Sequence, residues 1–440
     1  MKGGRIFVAL LLAAGLLGTL VNGAAIYSRL LYLGVLLIGG CWLWTRISLR
    51  GLSVTRLARS LRANVGDVFE EHFEVTNAKR LFCLWVEVAN ESLLPAASGS
   101  RLLTGIGGRQ KRSYAARSWL TRRGGYELGP TVLTSGDPFG LFQEQKRFPA
   151  AESLVVLPML VNITLFPSPP GLLPGGKVIR RKSLDITPHA SGVREYVPGD
   201  PMKRIHWPTT VRRQQLMVKE FEQDPQAEVW LFLDAQAKVQ VEQAYQLPEE
   251  QFDGWLLGKR PKFTLPPSTL EYSICITASL AHYFIQQKRA VGLATVGQAQ
   301  TVIPAERSVR QEDKILEALA FLQAQGSLSL ASLVTAQAGQ LPQGSSAILI
   351  TPSPQSEILL AVDDLQRRNL HPLVVLLMAD SFGGFKGGEA LAKSLLERNA
   401  PVCQVYCGAD LAQTLSGFAA NTPYYQETSG WFRPVLTHLT

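Results

Sequence analysis

The stretch VWLFLDA, residues 229–235, decides how the second half of the chain folds. It is almost continuously apolar, as is typical of a strand in a parallel sheet, which is buried on both faces. Similar short runs recur at AVGLATVG from Ala290, AILITP from Ala347, PLVVLLMA from Pro372 and PVCQVYC from Pro401. The sequence therefore predicts strands of one open, mostly parallel sheet.

Helical patterns lie between these runs, over residues 270–288, 309–325, 356–369 and 389–399. Alternation of strand and helix is typical of an α/β domain, which we place at residues 226–440. In such sheets a ligand binds at the carboxyl ends of the strands. Asp234, directly after the first strand, is therefore the candidate ligand-binding residue of this domain.

Residues 51–165 have a different texture, with short β-rich runs and no long helical pattern. Examples are VFEEHFEVTN from Val68, LFCLWVEVAN from Leu81 and TVLTSG from Thr131. These runs predict a small antiparallel β domain. Glycine and proline, which break both helices and strands, then cluster over residues 166–190. We expect this segment to be a linker between two domains.

Two apolar runs occupy residues 1–50. The first extends from Ile6 to Tyr27, with Asn22 as its one strongly polar residue, and the second from Leu30 to Trp44. About 20 apolar residues are needed to cross a bilayer as a helix. The pattern predicts a transmembrane hairpin. A cleaved signal peptide is the alternative, but it leaves the second run unexplained.

The positive charge of the chain is concentrated around this hairpin. The full sequence has 44 bases and 35 acids, a net charge of +9, whereas residues 1–66 contain eight bases and no acid. Basic residues collect on the cytoplasmic flanks of membrane helices. We therefore expect both ends of the hairpin, and the soluble domains, to be cytoplasmic. Because the remainder is nearly neutral, nucleic acid is not an expected partner.

The segment GVREYVPGDPMKRIHWPTTVRRQQLMVKEFE, residues 192–222, resembles the signature of the bacterial family called domain of unknown function 58. TRRGGYELGP from Thr121 and SGDPFGLF from Ser135 resemble motifs in the β domain of that family. The resemblance implies a membrane hairpin, a β domain and an α/β domain similar to von Willebrand factor A. It also implies partners, because members are associated with MoxR-type AAA+ ATPases and transglutaminase-like membrane proteins.

The signature segment, residues 191–225, supplies the candidate partner-binding residues. Residues 177–213 carry nine bases and three acids, while residues 214–440 carry 16 bases and 22 acids. The basic strip can therefore pair with the chain's own α/β domain or with an acidic partner. The candidates are Arg194, Glu195, Tyr196, Asp200, Arg204, His206, Trp207, Arg212, Lys219 and Glu220.

Two other functions remain open from the sequence. A membrane-tethered hydrolase or transferase could use Asp200 and His206 with a nearby serine, although nothing in the sequence fixes their geometry. Metal-dependent ligand binding at Asp234 would need further oxygen ligands, but AQAK follows it, and the ammonium of Lys238 would repel a cation. We predict a non-catalytic adaptor in the bacterial inner membrane, multi-pass and without a cofactor or metal.

Overall fold

The computed structural model describes residues 2–21, 23–167, 190–197, 202, 205–221, 228–245 and 263–420 of the 440-residue chain. The described residues form two compact units. The first is built mainly from the chain before Leu160, and the second mainly from the chain after it.

Two apolar helices open the first unit, α1 (Lys2–Val21) and α2 (Ala25–Ser48). Both are long and apolar enough to cross a membrane, and little of their surface is buried within the protein. Glycines allow the helices to pack closely. A Cβ atom at Gly34 would lie 2.6 Å from Leu12 Cδ2, and one at Gly15 would lie 3.0 Å from the backbone nitrogen of Leu31. These helices suggest membrane anchoring.

The rest of the first unit is the predicted β domain. Its sheets have the strand orders β1-β3-β6, β5-β4-β8-β9 and β2-β10-β7, and neighbouring strands are antiparallel apart from β2 with β10. The strands are β1 (Leu52–Ala58), β2 (Arg62–Asn64), β3 (Val68–Asn77), β4 (Cys83–Asn90), β5 (Arg101–Ile106), β6 (Lys111–Trp119), β7 (Gly124–Glu127), β8 (Thr131–Gly136), β9 (Gln143–Phe148) and β10 (Ser153–Leu157).

The core of the β domain begins immediately after helix α2. Leu49, the residue after α2, is buried with Leu52, Phe73 and Val75. Alternate residues of β3 face this core because side chains of a strand alternate between its two faces. Only three residues separate the end of α2 from the first strand of the domain.

An open sheet with the order β15-β14-β13-β16-β17-β18 forms the second unit. Neighbouring strands are parallel except β15, which runs antiparallel to β14. The sheet strands are β13 (Val229–Leu233), β14 (Val291–Val296), β15 (Gln300–Glu306), β16 (Ser346–Thr351), β17 (His371–Leu377) and β18 (Val402–Val405). The predicted open, mostly parallel sheet is thus confirmed.

Helices surround this sheet and bury apolar faces such as that of α7, where Ile358, Ala361, Val362 and Leu365 are buried. They are α4 (Thr269–Gln286), α5 (Val309–Phe321), α6 (Leu330–Ala338), α7 (Glu357–Arg367), α8 (Gly388–Glu397) and α9 (Leu411–Ala420). A smaller hairpin precedes the sheet in the chain. It contains β11 (Ala190–Glu195), α3 (Trp207–Arg213) and β12 (Met217–Phe221).

The domain boundary lies earlier than the sequence predicted. Residues 160–165 were assigned to the β domain, but they pack within the second unit. Val161 N–H donates to Ser279 Oγ at 2.9 Å, and the Phe166 ring lies 6.0 Å from that of Phe284. The predicted linker therefore begins with a buried anchor, since Phe166 is fully buried. Residues 168–189 of that linker lie outside the described residues.

Candidate functional site

The described residues of the signature segment, 190–197, 202 and 205–221, contain a hairpin, which we call the signature hairpin. Its strands β11 and β12 pair antiparallel, with Arg194 opposite Val218 and Glu195 opposite Met217. Tyr196 N–H continues the ladder by donating to the carbonyl of Leu216 at 2.8 Å. The sequence did not reveal this pairing.

His206 joins the short helix α3 to strand β12. Its backbone N–H donates to the Met217 carbonyl at 2.8 Å, and its own carbonyl accepts from Thr210 N–H at 3.0 Å. The ring atom Nδ1 lies 2.7 Å from Thr209 Oγ1. Thr210 Oγ1 in turn accepts from Met217 N–H at 3.0 Å. These contacts give His206 a structural role in the hairpin.

One face of the signature hairpin is apolar and exposed. Trp207 is 63% exposed and Val211 is 74% exposed. They are four residues apart on α3, so they lie on the same face of the helix. Contiguous exposed apolar surface marks interaction sites in soluble domains. Among the residues of this hairpin that the structure describes, Val193, Val197, Met202 and Leu216 are also exposed.

The predicted partner-binding residues differ in their exposure and in their place in the hairpin. Trp207 and Arg212 are exposed on α3, Glu195 is exposed at the end of β11, and Tyr196 is half-buried beside it. The paired strands β11 and β12 contain Arg194, Lys219 and Glu220. Asp200 and Arg204 lie outside the described residues.

The sequence analysis did not single out the other exposed apolar residues of this hairpin, such as Val197, Met202, Val211 and Leu216. The spacing of Trp207 and Val211, one helical turn apart, was the available signal. It was hidden because α3 has only seven residues. A helix that short gives no periodic pattern from which a buried and an exposed face can be told apart.

A second candidate site is the polar cleft at the carboxyl ends of β13 and β16. Asp234 is 3% exposed there. Its Oδ2 accepts from Thr351 Oγ1 at 2.6 Å, and its Oδ1 accepts from the Gln236 N–H at 3.1 Å. Ser353 N–H donates to the same threonine oxygen at 3.0 Å. Each carboxylate oxygen of Asp234 thus has a partner from the protein.

Burial raises the pKa of Asp234 to about 6, although the hydrogen bonds from Thr351 and Gln236 favour the charged form. The cleft encloses about 20 Å³, which is room for about one water molecule. Ser329, Gln355 and Glu357 also line it. In the part of the chain that the structure describes, no group of three or more His, Cys, Asp or Glu could hold a metal ion. The absence of a metal stays a prediction.

Two comparisons with known proteins bear on the signature hairpin. A family model described as "Protein of unknown function DUF58" matches residues 192–250. "Uncharacterized protein YeaD" from Bacillus subtilis (strain 168) is 24% identical over 215 residues, which are 48% of this chain and 46% of that protein. The chain spans about half the length of this curated relative. Both matches support the resemblance to the DUF58 family.

Solved structures share little with the whole chain. The CARDB domain of a Pyrococcus furiosus protein, solved in complex with di-metal ions, is 12% identical, with a TM-score of 0.18 over 24% of this chain and 91% of that one. The GH20 exo β-N-acetylglucosaminidase from Vibrio harveyi is 8% identical, with a TM-score of 0.17 over 79% of this chain and 59% of that one. Scores this low carry no argument about fold or function.

The raised pKa of Asp234 predicts a pH-dependent stability. An unfolded carboxyl loses its proton near 3.8, whereas folded Asp234 keeps it until about 6. Between these values the folded state binds more protons, so stability falls as pH rises through this window and stays low above it. At about 1.4 kcal/mol per pKa unit, the loss amounts to about 3 kcal/mol.

Asp234→Asn should abolish this dependence. Thermal unfolding of the full chain in detergent at pH 4.5 and pH 7.5 would measure it, with the exposed Glu389→Gln as a matched control. We expect the melting temperature of Asp234→Asn, relative to wild type, to rise between the two pH values. An unchanged difference, or the same rise in Glu389→Gln, would contradict the assignment.

Proposed function

We propose that this protein is a membrane-anchored, non-catalytic adaptor whose signature hairpin binds a MoxR-type AAA+ ATPase or another envelope-associated partner, such as a transglutaminase-like membrane protein. The observation that carries the proposal is the exposed apolar face of that hairpin, centred on Trp207 and Val211. It lies on the segment that the DUF58 family model matches.

The chemistry of this face supports protein binding. Trp and Arg are the residue types that most often dominate binding energy, and Trp207 lies on the same short helix as the exposed Arg212 and Arg213. Interfaces commonly combine an apolar centre with a polar rim. An acidic rim on the partner would complement these arginines and speed encounter.

The contacts of His206 support a structural role for this residue in the proposal. The backbone of His206 is used in the hydrogen bonds that join α3 to β12, and its Nδ1 contacts Thr209. The residues around His206 therefore support a structural joint.

The α/β unit serves in this proposal as a degenerate domain similar to von Willebrand factor A. A metal-dependent site there would need Asp234 and hydroxyl oxygens free to coordinate the ion. In the cleft, Thr351 and the Gln236 N–H already bond to Asp234. This arrangement favours a scaffold over metal-dependent ligand binding at Asp234.

We further propose that α1 and α2 anchor the chain as a multi-pass protein of the bacterial inner membrane, with its soluble domains in the cytoplasm. Exposed apolar side chains along both helices, including Leu20 and Leu36, support this. Arg46 and Arg50 flank the end of α2 where the β domain begins, and positive flanks favour the cytoplasmic side.

Truncating the centre of the apolar face should weaken partner binding. We expect Trp207→Ala to raise the Kd for a purified MoxR-type ATPase from the same bacterium at least tenfold, because a buried tryptophan anchor costs about 2 kcal/mol or more to remove. The full chain in nanodiscs would be titrated by biolayer interferometry.

The control for that experiment is Leu360→Ala, which removes another exposed apolar side chain, on α7. We expect unchanged affinity for this variant and an unchanged melting temperature for both, since both side chains are exposed. Equal binding by Trp207→Ala and wild type, or equal loss in Leu360→Ala, would argue against docking at the hairpin.

The proposed topology is tested by reporter fusions. Green fluorescent protein fused after Thr440 should fluoresce, and alkaline phosphatase fused there should be inactive, because the positive flanks hold that side in the cytoplasm. Phosphatase inserted after Gly23, in the turn between α1 and α2, should be active. Phosphatase activity after Thr440 would overturn the topology.

A further inference from the structure

A loop of the β domain, residues 137–142, lies against the helical hairpin. Leu141 is buried in a cluster with Val8 of α1 and Cys41 of α2. Arg5 Nε donates to the Leu141 carbonyl at 3.0 Å. We call this segment the Asp137–Phe142 loop. It fixes the β domain to the sides of the helices and not only to their end.

The contacts extend into the apolar part of the helices. Leu37 packs against the same cluster, and it precedes Arg46 by nine residues. At 1.5 Å per residue, Leu37 lies about 13 Å from that arginine along α2, towards the start of the helix. The exposed ring of Phe139 lines a cavity of about 320 Å³ together with Phe7 and Leu33, and its other lining residues are apolar too.

Several backbone polar groups of the loop are paired within the protein. Asp137 Oδ1 accepts from Phe139 N–H at 2.8 Å, and its Oδ2 accepts from Phe142 N–H at 2.5 Å. Gly140 N–H donates to the Asp137 carbonyl, and Asp137 N–H to the Phe142 carbonyl. Pro138 has no N–H to satisfy. Non-helical backbone is tolerated at membrane depth where it is buried in protein, and Leu141 of this loop is buried against α1 and α2.

Beside this loop, one end of the β domain faces the end of helix α2. Ser48 Oγ lies 2.7 Å from Ser135 Oγ at the end of β8 and 3.7 Å from Cys83 Sγ at the start of β4. The Trp44 ring lies 5.5 Å from that of Phe82. We call this end the proximal pole.

Exposed aromatic and basic side chains are combined at the proximal pole. Leu81 and Phe82 are exposed in the turn before β4, next to Arg80. Arg109 is exposed in a neighbouring turn, where its N–H donates to the Lys79 carbonyl at 2.6 Å. Aromatic residues and arginine are the types that accumulate at a membrane–water interface and on anionic headgroups.

We propose that the β domain lies directly on an anionic lipid surface, with the Asp137–Phe142 loop inserted beside the hairpin and the proximal pole on the headgroups. We assign these surfaces to the bilayer for two reasons. The loop and the proximal pole lie next to the apolar surface of α1 and α2, and the exposed bases Arg50, Arg80 and Arg109 complement anionic lipid. This inference rests on the proposed anchoring by α1 and α2.

Photo-crosslinking of the full chain in nanodiscs tests the proposal. p-Benzoylphenylalanine replaces Phe139 in one variant, Leu36 on α2 in a second and Leu93 in a third. Leu93 is exposed beyond Asn90, the far end of β4. At about 3.3 Å per residue, β4 carries that end about 23 Å from Cys83. Mass spectrometry would detect lipid adducts.

We expect lipid adducts at Leu36 and Phe139 and none at Leu93. Adducts at Leu36 without any at Phe139 would overturn the inserted loop while leaving the anchor intact. A lack of adducts at both would overturn the anchor as well. Adducts of Phe139 to a second copy of the chain would assign the surface to protein contact and overturn the lipid assignment.

The anionic headgroups are tested at Phe82 in nanodiscs of equal phosphatidylcholine and phosphatidylglycerol. We expect the probe at Phe82 to capture phosphatidylglycerol at least twofold more often than phosphatidylcholine. Combining Arg50→Gln, Arg80→Gln and Arg109→Gln should return this ratio to one. Equal capture in the parent protein would contradict the headgroup contact.

Discussion

The constraint on which the first unit depends is the apolar surface of α1 and α2. Most of that surface is not covered by the protein itself. Exposing apolar surface to water costs a free energy of about 25 cal/mol per Å². Because Leu49 already belongs to the core of the β domain, whatever holds α2 also holds that domain. Further contacts, such as Arg46 with Glu144 and Arg5 with Leu141, tie the helices to the domain.

The second unit combines a small cleft with an exposed apolar surface. The carboxyl ends of β13 and β16, where α/β sheets usually bind ligands, enclose only about 20 Å³ around Asp234. The signature hairpin instead leaves Trp207 and Val211 in solvent. Its buried side is formed by Ile205, Met217 and Val218. We therefore propose binding at the hairpin and scaffolding by the sheet.

Much of the fold was predictable because local patterns agree with the tertiary structure. The runs from Val68 and Thr131 coincide with β3 and β8, and the four helical patterns correspond to α4, α5, α7 and α8. Strand β15 was missed because it lies at the edge of the sheet, contains Pro304 and is partly exposed. Helix α6 was missed because its nine residues are apolar without a clear period.

The site was less predictable for a physical reason. The sequence marks which residues are apolar but not which apolar residues the tertiary structure leaves uncovered. Trp207 was chosen by residue type, whereas Val211 needed the packing of α3 against β12 to be known. The burial of Asp234 and its bond to Thr351, 117 residues later in the chain, depend on the pairing of β13 with β16.

The central claim is that the signature hairpin is the docking surface. Hydrogen–deuterium exchange of the full chain in nanodiscs, with and without a purified MoxR-type ATPase, tests it most directly. We expect slower exchange confined to peptides that cover residues 205–218, with unchanged exchange in peptides around Asp234. Protection around Asp234, with none in the hairpin, would contradict it.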